Sequence, residues 1–262
     1  MRYVKENIIR EDFLTFVEVH DLTGEHLART LVQLIAQFDL RIEKLRGQGY
    51  DGAASMSGRN EGVQAHILKL APLALYTHCV SHCLNLVVCK SSTIPSIRNM
   101  LGVVSQIASF FSASPLRAHK LKNAILSNSP NSLSKGIIPF CDTRWVERHD
   151  SLLRIREHLI PIYQTLSIIS EAGDSHAEVL KNAFSSSDFI ISLTCALVTT
   201  QTFQNLSRSL QKVDTDLVVA CDMVKDIIIV LKDKRASAET VFKTVFSEAA
   251  GTHFDIISAQ NL

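Results

Sequence analysis

The stretch Arg46-Gly47-Gln48-Gly49-Tyr50-Asp51-Gly52-Ala53-Ala54-Ser55-Met56-Ser57-Gly58 decides how the chain is read. A short segment, Ile42 to Arg46, reads as a strand and gives way to a glycine-rich turn with one carboxylate, Asp51. Glycines on both sides permit positive φ and leave that carboxylate clear at a strand's C-terminal edge, where open α/β sheets place ligands. Asp51 is thus a candidate metal or phosphate site. The competing reading is a turn residue whose carboxylate bonds its own backbone.

Upstream, Phe13 to Val19 is rich in β-branched and aromatic residues and is predicted as a strand, with an edge strand near Arg2 to Val4 before it. Asp21 or Thr23 can cap a helix whose Leu27, Leu31, Leu34, Ile35 and Phe38 form one apolar stripe, expected to cover a sheet face. Downstream come a helix over about Asn60 to Leu70, a strand from Leu73 to His78 and a helix from Ser81 to Lys90. This alternation predicts a mixed α/β sheet.

After Lys90 only helical patterns remain. Ile97, Leu101, Val104, Ala108 and Phe111 make one stripe, and Pro115 opens a short basic helix with Arg117, Lys120 and Lys122. Ser127 to Ser132 reads as a loop. Trp145, Leu152, Leu159 and Leu166 fall seven apart with Ile155, Ile162 and Ile169 beside them, a heptad-like seam in which Pro161 is a candidate kink. Phe189 to Leu206 is a further apolar helix, and Val213, Leu217, Ala220, Val224, Ile227 and Leu231 repeat the seam's design. The expected organisation is a partial α/β core over 1–92 and an all-α bundle over 93–262.

With 46% hydrophobic and 20% charged residues, the 262-residue chain is an ordered globular protein with enough length for a substantial core. No run approaches the roughly 18 to 20 apolar residues of a spanning helix, and Met1 to Glu6 lacks a signal-peptide core. A soluble, intracellular protein is expected, with its six cysteines reduced and buried. The net charge of +1 conceals a segregation: Gly62 to Cys141 holds no Asp or Glu but has seven cations. These are Lys69, Lys90, Arg98, Arg117, Lys120, Lys122 and Lys135. Such a segment suits a polyanion, because Lys and Arg contacts to phosphate supply most sequence-independent nucleic-acid affinity. The alternative is a solvated face whose cations pair with acids from elsewhere.

Three blocks in order carry a resemblance: the Asp51 turn, His78-Cys79-Val80-Ser81-His82-Cys83-Leu84-Asn85, and Asp142-Thr143-Arg144-Trp145. Together they resemble the hAT-superfamily transposase-like domains, in particular the group found in zinc finger MYM-type proteins. The resemblance covers about Asn7 to Ser170. It implies an incomplete ribonuclease H-like sheet with a helical insertion, a transposon-derived origin, a nuclear location and DNA as partner. In that family three carboxylates hold two divalent cations for strand cleavage and transfer. Asp51 matches the second of them, and no residue here matches the first or third. A magnesium or manganese centre, and hence transposase activity, is expected only if missing carboxylates are supplied; Asp51 alone is a vestigial catalytic and weak metal candidate. Otherwise no cofactor is expected. The resemblance also makes Cys79, His82, Arg144 and Trp145 DNA-proximal, whereas the bland reading places the thiol, imidazole and indole in a core. Arg117, Lys120 and Lys122 are the candidate phosphate contacts.

Two other chemistries compete. Gly47 to Gly52 spells G-x-G-x-x-G, but the acid such a dinucleotide site needs about 20 residues on falls in the acid-free segment. His78, Cys79, His82 and Cys83 are zinc-type ligands without a second pair at finger-like distance. The functional expectation is a catalytically inactive, DNA-binding or chromatin-associated domain, with neither a membrane nor a small-molecule substrate as partner. Its alternatives are a protein-interaction or self-associating module acting through the heptad-patterned helices and a fragment of an active transposase.

Overall fold

The computed structural model describes residues 1–91, 93–129, 136–137, 145–213 and 217–258. It is mainly helical with two small sheets, and its backbone divides into two compact units, residues 1–87 with 210–215 and residues 88–209 with 216–262.

In the first unit, β1 (Arg2–Lys5) and β2 (Ile8–Glu11) form an antiparallel hairpin. Glu6 and Asn7 link them with φ of 54° and 62°, the left-handed pair that a two-residue hairpin loop requires. The strand expected at Phe13 to Val19 is absent. These residues are irregular and largely exposed, Phe16 at 91%, because no described strand pairs with them and an unpaired strand leaves its backbone groups unmet. Thr23 caps α1 (Gly24–Gln37), its hydroxyl accepting from the His26 N–H. The α1 stripe packs mainly on a helix rather than a sheet: Leu27, Ala28, Leu31 and Val32 meet Val63 and Ile67 of α3 (Val63–Leu70).

Ile42 to Arg46 is also not a strand. Ile42–Lys44 is a turn of 3-10 helix, whose three-residue repeat turns Ile42 and Leu45 to the same small core. The strand begins later, as β3 (Gly47–Tyr50), so Gly47 and Gly49 lie in extended backbone. β3 pairs in parallel with β4 (Leu75–His78), Tyr50 opposite His78. The four strands therefore make two separate two-stranded sheets instead of one mixed sheet.

The second unit is a helical bundle. Its core gathers Leu101, Val104, Ile107 and Phe111 of α5 (Pro95–Ser112), Leu121 and Ile125 of α6 (Pro115–Asn128), and Leu152 and Ile155 of α7 (Trp145–Glu157). Ile162, Leu166 and Ile169 of α8 (Leu159–Glu171), Leu180 and Phe184 of α9 (Ser175–Phe184), and Ile190 and Leu193 of α10 (Ser187–Leu210) complete it. The heptad-like seam is broken at His158, three residues before Pro161, which has no N–H to donate to the carbonyl of Glu157. Its described leucines and isoleucines from Leu152 to Ile169 are spent inside the chain's own core and do not themselves offer a pairing surface. By contrast α11 (Leu217–Ala236) leaves Val218, Val219, Ile228, Ile229 and Val230 exposed, and α12 (Ala238–Ser258) leaves Phe242 and Phe246 exposed. Among the described residues no single helix is long and apolar enough to cross a membrane; α9 and α10 pass jointly only as a pair bent by 60°.

Of the four described cysteines, Cys79 and Cys221 are exposed and Cys83 and Cys195 half-buried, contrary to the expectation of buried thiols. Burial pushes the Cys195 thiol up from its ordinary value.

Two histidines are buried in the bundle. His149 Nδ1 lies 2.6 Å from Thr200 Oγ1, and His158 Nε2 is buried with no hydrogen-bond partner. Burial lowers both pKa values from 6.5; Asp150 opposes the shift at His149 and Glu157 at His158, while Arg208 and Arg154 respectively add to it. With the folded values below the unfolded one, the unfolded chain takes up protons first. The stability each neutral imidazole contributes is therefore complete above the unfolded value and lost as pH falls through the folded one. The bundle's melting temperature is expected to decline as pH falls below about 6.5, the ordinary imidazole value. A variant with both histidines replaced by glutamine is expected to show a flatter profile in thermal melts across that window.

Candidate functional site

Parallel pairing of β3 with β4 brings the Asp51 turn to the histidine and cysteine block. The ladder runs past the strand ends, the Cys79 N–H donating to the Tyr50 carbonyl at 2.8 Å, so Asp51 and Cys79 leave the same sheet edge together. The chain then enters α2 (Ala54–Ser57) on one side and α4 (Val80–Ser91) on the other.

A glutamine network holds this edge. Gln48, buried in β3, donates through Nε2 to the carbonyls of Ala74 at 2.9 Å and Gln64 at 3.1 Å. Gln64 Nε2 in turn donates to the Ser57 and Gly58 carbonyls, both at 3.3 Å, and the Ser57 hydroxyl donates to the carbonyls of Gly52 and Ala53. These bonds tie strand, turn and α3 into one piece and preorganise the loop that carries Asp51. Polar residues outside every apolar stripe make up this network, which is why sequence periodicity passes over it.

Asp51 itself is exposed, and its Oδ1 accepts from the Ala53 N–H at 3.1 Å. This is the turn geometry anticipated for an Asp two residues before the acceptor's partner. Among the described residues no three or more His, Cys, Asp or Glu side chains come together as a metal site. Two-cation catalysis needs carboxylates on both ions, and the described residues around Asp51 do not fit such a centre. The dinucleotide reading meets a geometric obstacle: Gly47 and Gly49 are strand residues, and the following helix α2 has only four residues.

On the β4 side a ladder of rings runs along the edge. Tyr50 stacks on Tyr76 with centroids 6.2 Å apart, Tyr76 on His78 at 6.4 Å, and His78 meets His82 at 5.8 Å. Burial raises the Tyr50 phenol above its ordinary value. His82 is half-buried beside the turn, and Cys79 is exposed, so neither occupies a core. Tyr76 joins His78 in this ladder without having been among the sequence-derived site residues. Their signal is the i, i+2 spacing on β4, which puts both rings on one face.

The cationic candidates lie on α6, in the other unit. Arg117 is engaged there: its Nη2 reaches Asp174 Oδ2 at 2.8 Å and its guanidinium sits 3.9 Å over the Phe110 ring. Asp174 caps α9 by accepting from Ala177, a bond that, with Arg117, holds its carboxyl below the ordinary carboxylate range. Arg117 therefore joins α5, α6 and α9. Lys122 is exposed and Lys120 partly so. Arg144 and the Trp145 side chain lie outside the described residues; the Trp145 backbone opens α7.

Residues 1–62 match the family model described as ZMYM1/FAM200, RNase-like domain. The human protein "52 kDa repressor of the inhibitor of the protein kinase" is 27% identical over 98% of this chain and 35% of its own length. Its mouse counterpart of the same name is 25% identical over 95% of this chain and 34% of its own length. The chain thus spans about a third of the curated relatives it matches. No solved structure matches. Over residues 1–62 the chain is similar to the RNase-like domain of ZMYM1/FAM200, in keeping with the resemblance of its motifs to hAT transposase-like domains.

Proposed function

We propose that this chain is a transposon-derived DNA-binding region of a nuclear protein, an incomplete ribonuclease H-like core with a helical insertion, and does not cleave DNA by itself. The observation that carries this reading is the acid-free segment from Gly62 to Cys141, whose cations include Lys120 and Lys122 on α6. A run of 80 residues without a carboxylate removes local acids that would neutralise those cations and repel a phosphate backbone. The relatives' name, a repressor of the inhibitor of the protein kinase, is compatible with action on nucleic acid or on a protein. Asp51, engaged with its own turn, is left as a vestige of the cutting machinery. Cys79 and His82, at the same sheet edge, are the residues of the α/β unit placed nearest to bound DNA in this reading.

The test is duplex DNA binding across a salt series. Affinity is expected to fall steeply with salt, and replacing Lys120 and Lys122 by alanine reduces the slope of log K against log salt by about 2, near 0.9 for each phosphate contact removed. A flat salt response, or no binding at low salt, overturns the proposal. Metal-dependent cleavage that disappears in Asp51→Asn would instead restore the catalytic reading.

One observation favours a second reading, self-association: the exposed apolar side chains of α11, Val218, Val219, Ile228, Ile229 and Val230. Sedimentation of the wild-type chain as a monomer at every concentration eliminates it, and Ile229→Lys is expected to dissolve any dimer that does form.

A further inference from the structure

We propose that a cavity between α5 and α6 receives a single unpaired DNA base while Lys122, on its rim, holds that nucleotide's phosphate. This rests on the DNA-binding reading above and names the form of DNA it favours. None of the cavity's described residues belongs to the three blocks that carry the family resemblance.

The cavity has a volume of about 280 Å³, just below the roughly 300 Å³ at which sites for drug-sized ligands begin, so it suits one ring system. Its floor is apolar: Ala108 and Phe111 of α5 and Leu121 of α6 are buried core residues whose outer sides line it. Its rim is polar and open, with Ser112 of α5 and His119 and Lys122 of α6 all exposed. Ser112 Oγ donates to the Ser109 carbonyl at 3.2 Å, which leaves its lone pairs as acceptors. Asn123 Nδ2 lies 3.1 Å from His119 Nε2 and is a donor, so that imidazole carries its proton on Nδ1 and keeps one donor. Among the described residues no carboxylate lines the cavity, and all of its described lining lies in the acid-free segment.

Charge and shape together select the occupant. Phosphate contacts need neither a concavity nor an apolar floor, since exposed cations on a plain surface supply them. DNA's apolar surface is the faces of its bases, which stacking covers in a duplex and an unpaired nucleotide uncovers. An apolar floor takes such a face, a donor and an acceptor at the rim meet the base's polar edge, and a lysine beside them neutralises the attached phosphate. The cavity is formed by residues from the end of one helix and the start of the next, so its two walls are read as separate stripes in sequence and their facing is tertiary.

The experiment compares, with the whole chain, a duplex carrying one bulged base, the same duplex with an abasic bulge, and the fully paired duplex, at one salt concentration. The bulged duplex is expected to bind about tenfold tighter than the other two, the low end of what stacking one base supplies. A 2-aminopurine placed in the bulge is expected to gain emission as it leaves its stacked neighbours. Ala118→Leu fills the cavity from an exposed position on α6, and is expected to bring the bulged duplex down to the paired one while leaving paired-duplex affinity and its salt slope unchanged. Should that variant fail to fold by circular dichroism, Ser112→Leu fills the cavity from α5. Equal affinity for all three duplexes overturns the inference while leaving salt-dependent DNA binding in place. An abasic bulge bound as tightly as the bulged base assigns the preference to bendable DNA and also overturns it, as does a preference that survives the cavity-filling variant. No binding to any of the three at low salt removes the DNA reading itself, and this inference with it.

Discussion

Leu166→Asp is expected to abolish the cooperative thermal transition of the helical unit. Leu166 is 0% exposed and surrounded by the α5–α10 core, where a carboxylate finds neither water nor a cation. Burying an unpaired charge belongs to the few single changes that cost more than about 4 kcal/mol, against a typical total stability of about 5–15 kcal/mol. The milder Leu166→Ala removes the same packing without adding charge, with an expected loss of about 2–5 kcal/mol. Lys122→Asp, on the exposed face of α6, is the control and changes stability by less than about 0.5 kcal/mol. Chemical denaturation followed by circular dichroism measures all three. If Leu166→Asp melts like the parent while losing self-association, the seam faces a partner and the packing described above is wrong.

The second large effect is expected in the α1–α3 unit, where Gly24, Gly58 and Gly62 meet. A Cβ on Gly24 would lie 2.7 Å from the Ser55 carbonyl oxygen and 2.8 Å from Gly62 Cα, and would press still harder on the Glu61 carbonyl. A Cβ on Gly62 would lie 2.6 Å from the Gly58 carbonyl oxygen and 2.8 Å from its Cα. The obstacles are backbone atoms, which cannot swing aside as a flexible side chain can. Gly24→Ala and Gly62→Ala are therefore each expected to destabilise the unit by about 1–3 kcal/mol, the usual penalty of overpacking. They also loosen the Asp51 turn, because Gly58 and Ser57 accept the Gln64 bonds that hold it. Hydrogen exchange of the α1 and α3 amides reads the loss. Gly102→Ala, mid-helix in α5 with nothing near the added carbon, is expected to stabilise by about 0.5–1 kcal/mol. Equal behaviour of the three variants would refute close glycine contact as the cause.

These two effects differ in how visible they are beforehand. The seven-residue spacing of Leu152, Leu159 and Leu166 marks an apolar seam in any reading, yet spacing is blind to what lies across it. A partner helix of another copy and the chain's own α5, α9 and α10 produce the same pattern. The glycine contact has no periodic signal at all, since Gly24 and Gly62 are 38 positions apart and their significance is a distance between backbones.

By itself, the sequence determined the elements whose signals are local: the stripe of α1 with a cap at Asp21 or Thr23, the strand ending at His78, the Pro115 helix start, and the concentration of cations between Gly62 and Cys141. Caps, proline positions and apolar spacing act within a turn or two of chain, so they can be read in order. Only the tertiary structure decided that Phe13 to Val19 stays unpaired, that Ile42–Lys44 coils, that Arg117 pairs with Asp174, and that the rings of His78 and His82 meet beside Gly52. Each of those depends on packing beyond the local chain, and a strand, an ion pair or a ring contact exists only when its other half is brought alongside.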